Sequence, residues 1–429
     1  LASLALDKFC LLAQKFALRL VMSETAVRVL YLHPSAAFGG ASKSLIELYN
    51  RLHPLGVRGT VLTPRGKVCQ EFISAGLDVR EVRGLSQFDN TRYGHYRRLR
   101  WIILLRELYL LPFSLAALWR LRHERFDLLH VNEITLLPLA ILAKRLFRVP
   151  MIVHVRSLQR SSGSGFRTRL INTWLRRHAN AVIPIDHTVA STLGEGLPLS
   201  VVHNGLHIDA AAVAHTDRES NETVRVGFLG VLIQLKGIYE LIEAMRILKE
   251  RGVSIECLIA GENARELSGF KAWVLRKLGF ARDVRADLVS LIDAYELNAQ
   301  VRLLGFVTDV RELYPQLDIL CFPSHLDAAG RPVFEAAFYG IPSVVAVNDP
   351  VPDAILHEVT GLAIPRPDPE LLADALQRLT EQPTFRRTLG KQATLWAHEN
   401  FSIDINARLM YDVYRTLLSH SCSNEGFHS

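Results

Sequence analysis

Two carboxylates bracket a glycine turn in the segment Asp327-Ala328-Ala329-Gly330-Arg331-Pro332-Val333-Phe334-Glu335. An apolar run, Ile319-Leu320-Cys321-Phe322-Pro323-Ser324, precedes it, and a second, Ser343-Val344-Val345-Ala346-Val347, follows. A strand that ends in a loop and feeds a helix is where α/β proteins hold phosphorylated ligands, because unpaired amides and the helix dipole favour an anion there. The spacing predicts a helix starting near Pro332, whose missing N–H loses no partner in a first turn. Asp327 then sits in the loop and Glu335 about one turn into the helix, both facing one ligand. Carboxylates so placed hold hydroxyls and put negative charge where positive charge develops. Glycosidases also pair carboxylates, but across an open sugar cleft and without phosphate loops, which one loop–helix unit suits poorly.

Four further loops carry complementary chemistry. The first clear strand runs into His33-Pro34-Ser35-Ala36-Ala37-Phe38-Gly39-Gly40-Ala41-Ser42-Lys43-Ser44, where two glycines opening a helix let backbone amides approach an anion. Ser42 rather than glycine precedes Lys43, so this is not a GxxxxGK(S/T) loop, and it lacks a full GxGxxG. A tight turn without ligand accounts for the pair equally well. In the back half, Gly230-Val231-Leu232-Ile233-Gln234-Leu235-Lys236-Gly237 places Lys236 just ahead of a helix, Tyr239–Arg251, where its ammonium meets a phosphate; a solvated lysine is the plain alternative. Ala260-Gly261-Glu262 and Gly305-Phe306-Val307 each close a strand and suit a base and a ribose.

The elements that must position these loops alternate regularly. Val27–Leu32, Gly59–Thr63, Leu128–Val131, Met151–Val155 and Ala181–Ile185 read as strands in the front half, with helical patterns at 42–53 and 136–147 between them. Val224–Leu229, Ser254–Ala260, Val301–Leu304, Ile319–Phe322 and Ser343–Val347 repeat the design. Near-continuous Val/Ile/Leu strands separated by helices mean parallel sheets covered on both faces. The reading is an α/β chain of two doubly wound, Rossmann-like domains facing an interdomain cleft, with ligands at the carboxyl ends of the strands. A leader (1–26) precedes the first domain (27–208). A polar linker (209–223) leads to the second (224–398), followed by a last helix (399–418) and a disordered tail (419–429).

Composition bounds the function classes. A chain of 429 residues exceeds one ordinary core. Its five scattered cysteines form no CxxC pair, which argues against both a disulfide framework and a zinc site. Residues 22–205 hold 25 Lys and Arg against 12 Asp and Glu, whereas 206–429 hold 22 against 30. A basic front half suits an anionic partner, such as a membrane surface or an acidic lipid-linked acceptor, with an Arg-rich surface as the plain reading. No basic run interleaved with aromatics marks a nucleic-acid module. Residues 1–21 read as an extension upstream of a start at Met22, with an amphipathic helix lying on a membrane as the alternative. Leu99–Leu121 is apolar but interrupted by Arg106, Glu107, Pro112 and Arg120, so it predicts a buried or interfacial helix and no membrane span.

Gly39-Gly40, His154-Val155-Arg156, His203-Asn204-Gly205, Gly230…Lys236-Gly237, Ala260-Gly261, Gly305-Phe306 and Asp327…Glu335 follow one another in an order that resembles the retaining glycosyltransferases of family four. The resemblance runs from about Val27 to about Phe401. It implies the GT-B fold, with an acceptor-binding front domain, a nucleotide-sugar-binding back domain and a last helix that crosses back. By position, Glu335 resembles the acid that binds the donor ribose, and Asp327 the acid that contacts the transferred sugar. Lys236 resembles the lysine that stabilises the departing diphosphate, and His154 the histidine near the reacting sugar. Gly39, Gly40, Gly261, Phe306, Gly330 and Arg331 fall at donor-binding places, Arg156 and Asn204 at acceptor-binding ones. Two residues depart from the pattern: Asp327 stands for the usual Glu, and Val231 for an arginine that would offset leaving-group charge.

The implied reaction is retaining transfer of a sugar from a nucleoside diphosphate sugar to a hydroxyl, without metal or resident cofactor. The implied setting is polysaccharide or lipopolysaccharide assembly in the cytoplasm or on the cytoplasmic face of the inner membrane, with a glycan or lipid-linked acceptor, anionic membrane contact and no nucleic acid. A non-catalytic nucleotide-sugar-binding partner subunit and a GT-B sugar-nucleotide epimerase are the alternatives.

Overall fold

A computed structural model describes residues 26–92, 103–160, 165–206, 223–263, 283–326 and 328–425, with side chains to 419. The leader to residue 25, the expected linker to residue 222 and Asp327 lie outside the described residues. The chain divides into two compact units, one comprising 1–205 and 403–429, the other 206–402.

The first unit holds six parallel strands: β1 (Val27–Leu32), β2 (Val57–Pro64), β3 (Asp78–Val82), β4 (Leu128–Val131), β5 (Met151–Val155) and β6 (Ala181–Pro184). Their order in the sheet is β3-β2-β1-β4-β5-β6. Strand residues alternate between two apolar layers, as a period of two requires. Leu30 and Leu32 go to one side with Leu129, Val131, Val153 and Val155. Val29 and Tyr31 go to the other, with Ile152, Ile183 and the helix residues Leu45, Met410 and Tyr414. The last helix, Ile403–Glu425, buries Ala407, Met410 and Tyr414 at helical spacing in that second layer.

The second unit repeats the plan with β7 (Val224–Leu229), β8 (Ile255–Ala260), β9 (Val301–Gly305), β10 (Ile319–Phe322), β11 (Ser343–Ala346) and β12 (Gly361–Ile364). The order is β12-β11-β10-β7-β8-β9, again all parallel. The strand order reverses direction beside β1 in the first sheet and beside β7 in the second. Such a switch point leaves a crevice at the carboxyl ends of the strands.

Two edge strands escaped the sequence reading. β3 (Asp78-Val79-Arg80-Glu81-Val82) is charged and mostly exposed, so it gives no buried apolar run, whereas β12 (Gly361-Leu362-Ala363-Ile364) is apolar and mostly buried but opens on a glycine. The tail expected from 419 is a correction: the helix continues to Glu425, because no glycine or proline interrupts it before Gly426. The stretch around Leu99–Leu121 forms a helix, Ile103–Arg120, that buries Glu107, Leu110, Ser114, Ala117 and Leu118 and exposes Leu105, Leu108 and Trp119. No helix among the described residues is long and apolar enough to cross a membrane.

Candidate functional site

In the second unit, the loops after β7 and β10 meet at the switch point. The chain after β7 makes a short turn, Gln234–Lys236, and Gly237 follows in the left-handed region at φ 72° before the helix Ile238–Glu250. A side chain at Gly237 would place its Cβ 1.7 Å from the carbonyl oxygen of Pro323, so only glycine lets the two loops pack. His325 N–H donates to Leu235 O at 3.0 Å and closes the junction. Lys236 is thereby held half-buried with its Nζ 4.8 Å from the centre of the Phe322 ring. Burial lowers its ammonium pKa, and it has no carboxylate partner among the described residues.

The neighbouring strand ends are tied in the same way. Gly261 follows β8, its N–H donating to Gly305 O at 2.8 Å, and a Cβ there would lie 1.9 Å from Gly230 O. Phe306 follows β9 and is 76% exposed, an aromatic face open to a stacking partner. Past β10, Gly330 caps the helix Arg331–Phe338, whose first-turn amides include none from Pro332. Glu335 is already engaged: its Oε1 accepts from Arg331 Nε and its Oε2 from Tyr314 O–H, both at 2.7 Å. Arg331 is paired with Glu335, and Val231, where the resemblance implied an arginine, is 46% exposed.

In the first unit, the polar residues lie in rows across one face of the sheet. The register sets Tyr31 beside His130 and His130 beside Ile152. Two residues further along each strand come His33, Asn132 and His154, and two beyond His154 comes Arg156. Arg156 is the hub. Its Nε donates to Asn132 O and Oδ1 at 3.1 Å, its Nη2 to Asn132 Oδ1 at 2.9 Å and to His154 Nδ1 at 3.2 Å, and its Nη1 to Asn204 Oδ1. Asn132 Nδ2 meets His33 Nδ1 at 2.9 Å, and Ser42 Oγ lies 3.1 Å from His33 Nε2. Behind His154, His130 links to Tyr414 of the last helix.

Burial, with the Arg156 charge adding to it, holds these imidazoles neutral: His33 and His130 fall to about 3 and His154 well below its ordinary value. Beside them, burial raises the Glu133 carboxyl to about 7, against the opposing pull of Ile134 N–H and Arg156. Gly39 and Gly40 open the helix Gly40–Leu52, and a Cβ at either would meet nothing within 4 Å. Packing does not demand glycine there, so the space is open to a ligand.

Two family models match this chain: "Glycosyl transferase 4-like domain" over residues 39–205 and "Glycosyl transferases group 1" over residues 215–396. The chain belongs to the group 1 glycosyltransferases of the GT-B fold. Among relatives of this chain is the capsular polysaccharide biosynthesis glycosyltransferase CapM of Staphylococcus aureus, 23% identical over 47% of this chain and 48% of that protein. The chain thus spans about half of CapM. The lipopolysaccharide core biosynthesis mannosyltransferase LpcC of Rhizobium leguminosarum bv. viciae is 23% identical over 72% of this chain and 84% of that protein. Among solved structures, Anabaena Alr3699/HepE in complex with UDP and glucose superposes with a TM-score of 0.67 at 18% identity, over 91% of this chain and all of that one.

Within this chain, the expected site residues fall into two sets, one per unit. Lys236, Gly261, Phe306, Gly330, Arg331 and Glu335 lie at the carboxyl ends of the second sheet, and Gly39, Gly40, His154, Arg156 and Asn204 at those of the first. Sequence reasoning passed over His33, Ser42, His130, Asn132, Glu133 and Tyr414. The signal was present: a histidine inside a buried strand (His130) and polar residues directly after apolar strands are costly unless partnered.

Proposed function

We propose that this glycosyltransferase moves a sugar from a nucleoside diphosphate sugar to a hydroxyl of a glycan or lipid-linked acceptor, with retained anomeric configuration. Lys236 carries the reading. A half-buried ammonium with no carboxylate partner among the described residues, set at a switch point beside glycine-bound loops, suits a ligand that brings two phosphates. Phe306 stacks the base. Glu335, held in place by Arg331 and Tyr314, takes the ribose hydroxyls. Asp327 is assigned to the sugar hydroxyls and His154 to an oxygen of the reacting sugar.

As the bond to the anomeric carbon breaks, Lys236 and the amides at the start of the helix Arg331–Phe338 receive the charge on the leaving diphosphate. The acceptor attacks from the same face and gives its proton to the departing phosphate. The reading calls on no metal. The relatives in capsular polysaccharide and lipopolysaccharide core synthesis support a cell-surface glycan as the product. The exposed Leu105, Leu108 and Trp119 of the helix Ile103–Arg120, next to Arg106 and Arg120, support contact with an anionic membrane.

Val231 favours a second reading, a subunit that binds nucleotide sugar without turning it over, because the cation expected there is absent and Arg331 is paired with Glu335. Incubation with labelled nucleotide sugars and a lipid extract separates the two. An α-linked product from an α-linked donor supports retaining transfer; an inverted product refutes retention, and binding without product favours the partner subunit.

A further inference from the structure

The hydrogen bonds behind His154 have directions that the heavy atoms fix. A guanidinium only donates, so Arg156 Nη2 makes His154 Nδ1 an acceptor. His130 Nε2 lies 3.3 Å from that same nitrogen and must therefore carry the proton. A neutral imidazole protonated at Nε2 accepts at Nδ1, so the Tyr414 hydroxyl, 2.6 Å away, donates to His130. Tyr414 has one proton to give, so Tyr31, 3.3 Å from its oxygen, donates to Tyr414. Every member points the same way, from Tyr31 to His154.

His154 is 2% exposed, and its remaining proton sits on Nε2, which has no hydrogen-bond partner among the described residues. A buried donor left without an acceptor is rare in a native fold. A cavity large enough for one water adjoins His154, lined also by Asn204, Asn406 and Ser44. The same arginine orients a second branch. Asn132 Oδ1 faces Arg156, so its Nδ2 donates to His33 Nδ1, and His33 Nε2–H then donates to Ser42 Oγ in the first turn of the helix Gly40–Leu52.

We infer that Arg156, His130 and Tyr414 form a directed relay that locks His154 as the neutral Nε2–H tautomer and presents it as a donor to a ligand oxygen. They are positioning residues, and the helix Ile403–Glu425 enters the site's chemistry through Tyr414. The opposite tautomer would present a lone pair, which repels a phosphate oxygen and can only accept from a hydroxyl. This also reassigns Arg156 and Asn204 from the acceptor to the support of His154. What the donor meets, a sugar or phosphate oxygen of a nucleotide sugar, rests on the proposed transfer; the tautomer does not.

Nitrogen-15 imidazole spectra of the full chain test the relay, with His130→Gln and His154→Gln used to assign the signals. Both rings are expected as Nε2–H, unchanged from about pH 8 to about 5.5. His154 found as Nδ1–H or as imidazolium overturns the relay, and this spectrum decides even where a variant does not fold. Tyr414→Phe removes one oxygen from a buried ring. It is expected to let the His130 proton move to Nδ1 and to lower turnover roughly tenfold, with KM near that of the parent chain. Unchanged turnover in that variant overturns the positioning role. A parent chain with both Nε2–H tautomers and no turnover on any nucleotide sugar sinks the transfer reading and leaves the relay standing.

Discussion

Replacing Lys236 by methionine separates a catalytic lysine from a structural one, because the two roles move stability and turnover in opposite directions. Burial lowers the pKa of this ammonium and no carboxylate among the described residues repays the cost. A lysine whose folded pKa lies below its unfolded one weakens the fold at neutral pH, and that penalty fades only as pH rises towards its unfolded value. The contact with the Phe322 ring returns about 0.5–1 kcal/mol, and the aliphatic stem packs much as methionine would. Lys236→Met is therefore expected to melt at the same temperature as the parent or higher. The lost charge-assisted hydrogen bond to a departing phosphate is worth about 1.5–3 kcal/mol, or roughly 10- to 150-fold in kcat/KM. Calorimetry of the free protein and steady-state release of nucleoside diphosphate measure the two sides. A lower Tm with unchanged kcat/KM would refute the reasoning and make Lys236 a structural residue.

Other outcomes follow from the same geometry. Gly237→Ala pushes a Cβ against the Pro323 carbonyl in a left-handed backbone. It should cost about 2–4 kcal/mol by denaturant unfolding and about a hundredfold in turnover as Lys236 shifts. Glu133, raised from 4.5 to about 7, binds a proton in the folded state that the unfolded chain releases, so stability falls as pH rises between those values. Glu133→Gln should match the parent most closely near pH 4 and melt increasingly higher towards pH 8, and an unchanging difference across that range would contradict the burial. Neutral His33, His130 and His154 have the opposite sign, so acid below about pH 6.5 should weaken the fold by up to about 1.4 kcal/mol per pH unit for each. Their mutation to glutamine, followed by acid titration, should flatten that slope. Chelation should leave turnover intact, and loss of activity restored by a divalent cation would overturn the metal-free reading.

The sheets were legible because most of the strands are buried apolar runs, and the loops at their ends carry glycines that close packing requires, as at Gly237 and Gly261. The edge strand β3 was not, since exposure removes the pattern that marks a strand. Spacing placed Glu335 correctly on its helix but could not show that Arg331, four residues earlier, folds back onto it. Nor could it show Arg156 turned inward to Asn132 and His154, or Tyr414 brought beside His130 from 284 residues away. Such contacts depend on strand register and on where the last helix packs, and neither is written locally in the chain.

Release of nucleoside diphosphate from a panel of nucleotide sugars, with and without a lipid or glycan acceptor, puts the proposed reaction itself to the test. One donor is expected to turn over only with acceptor present, and the Lys236→Met chain to lose most of that rate while staying folded. Binding of a nucleotide sugar with no diphosphate released above the level of Lys236→Met, for any donor, would contradict a transferase and leave a binding subunit in its place.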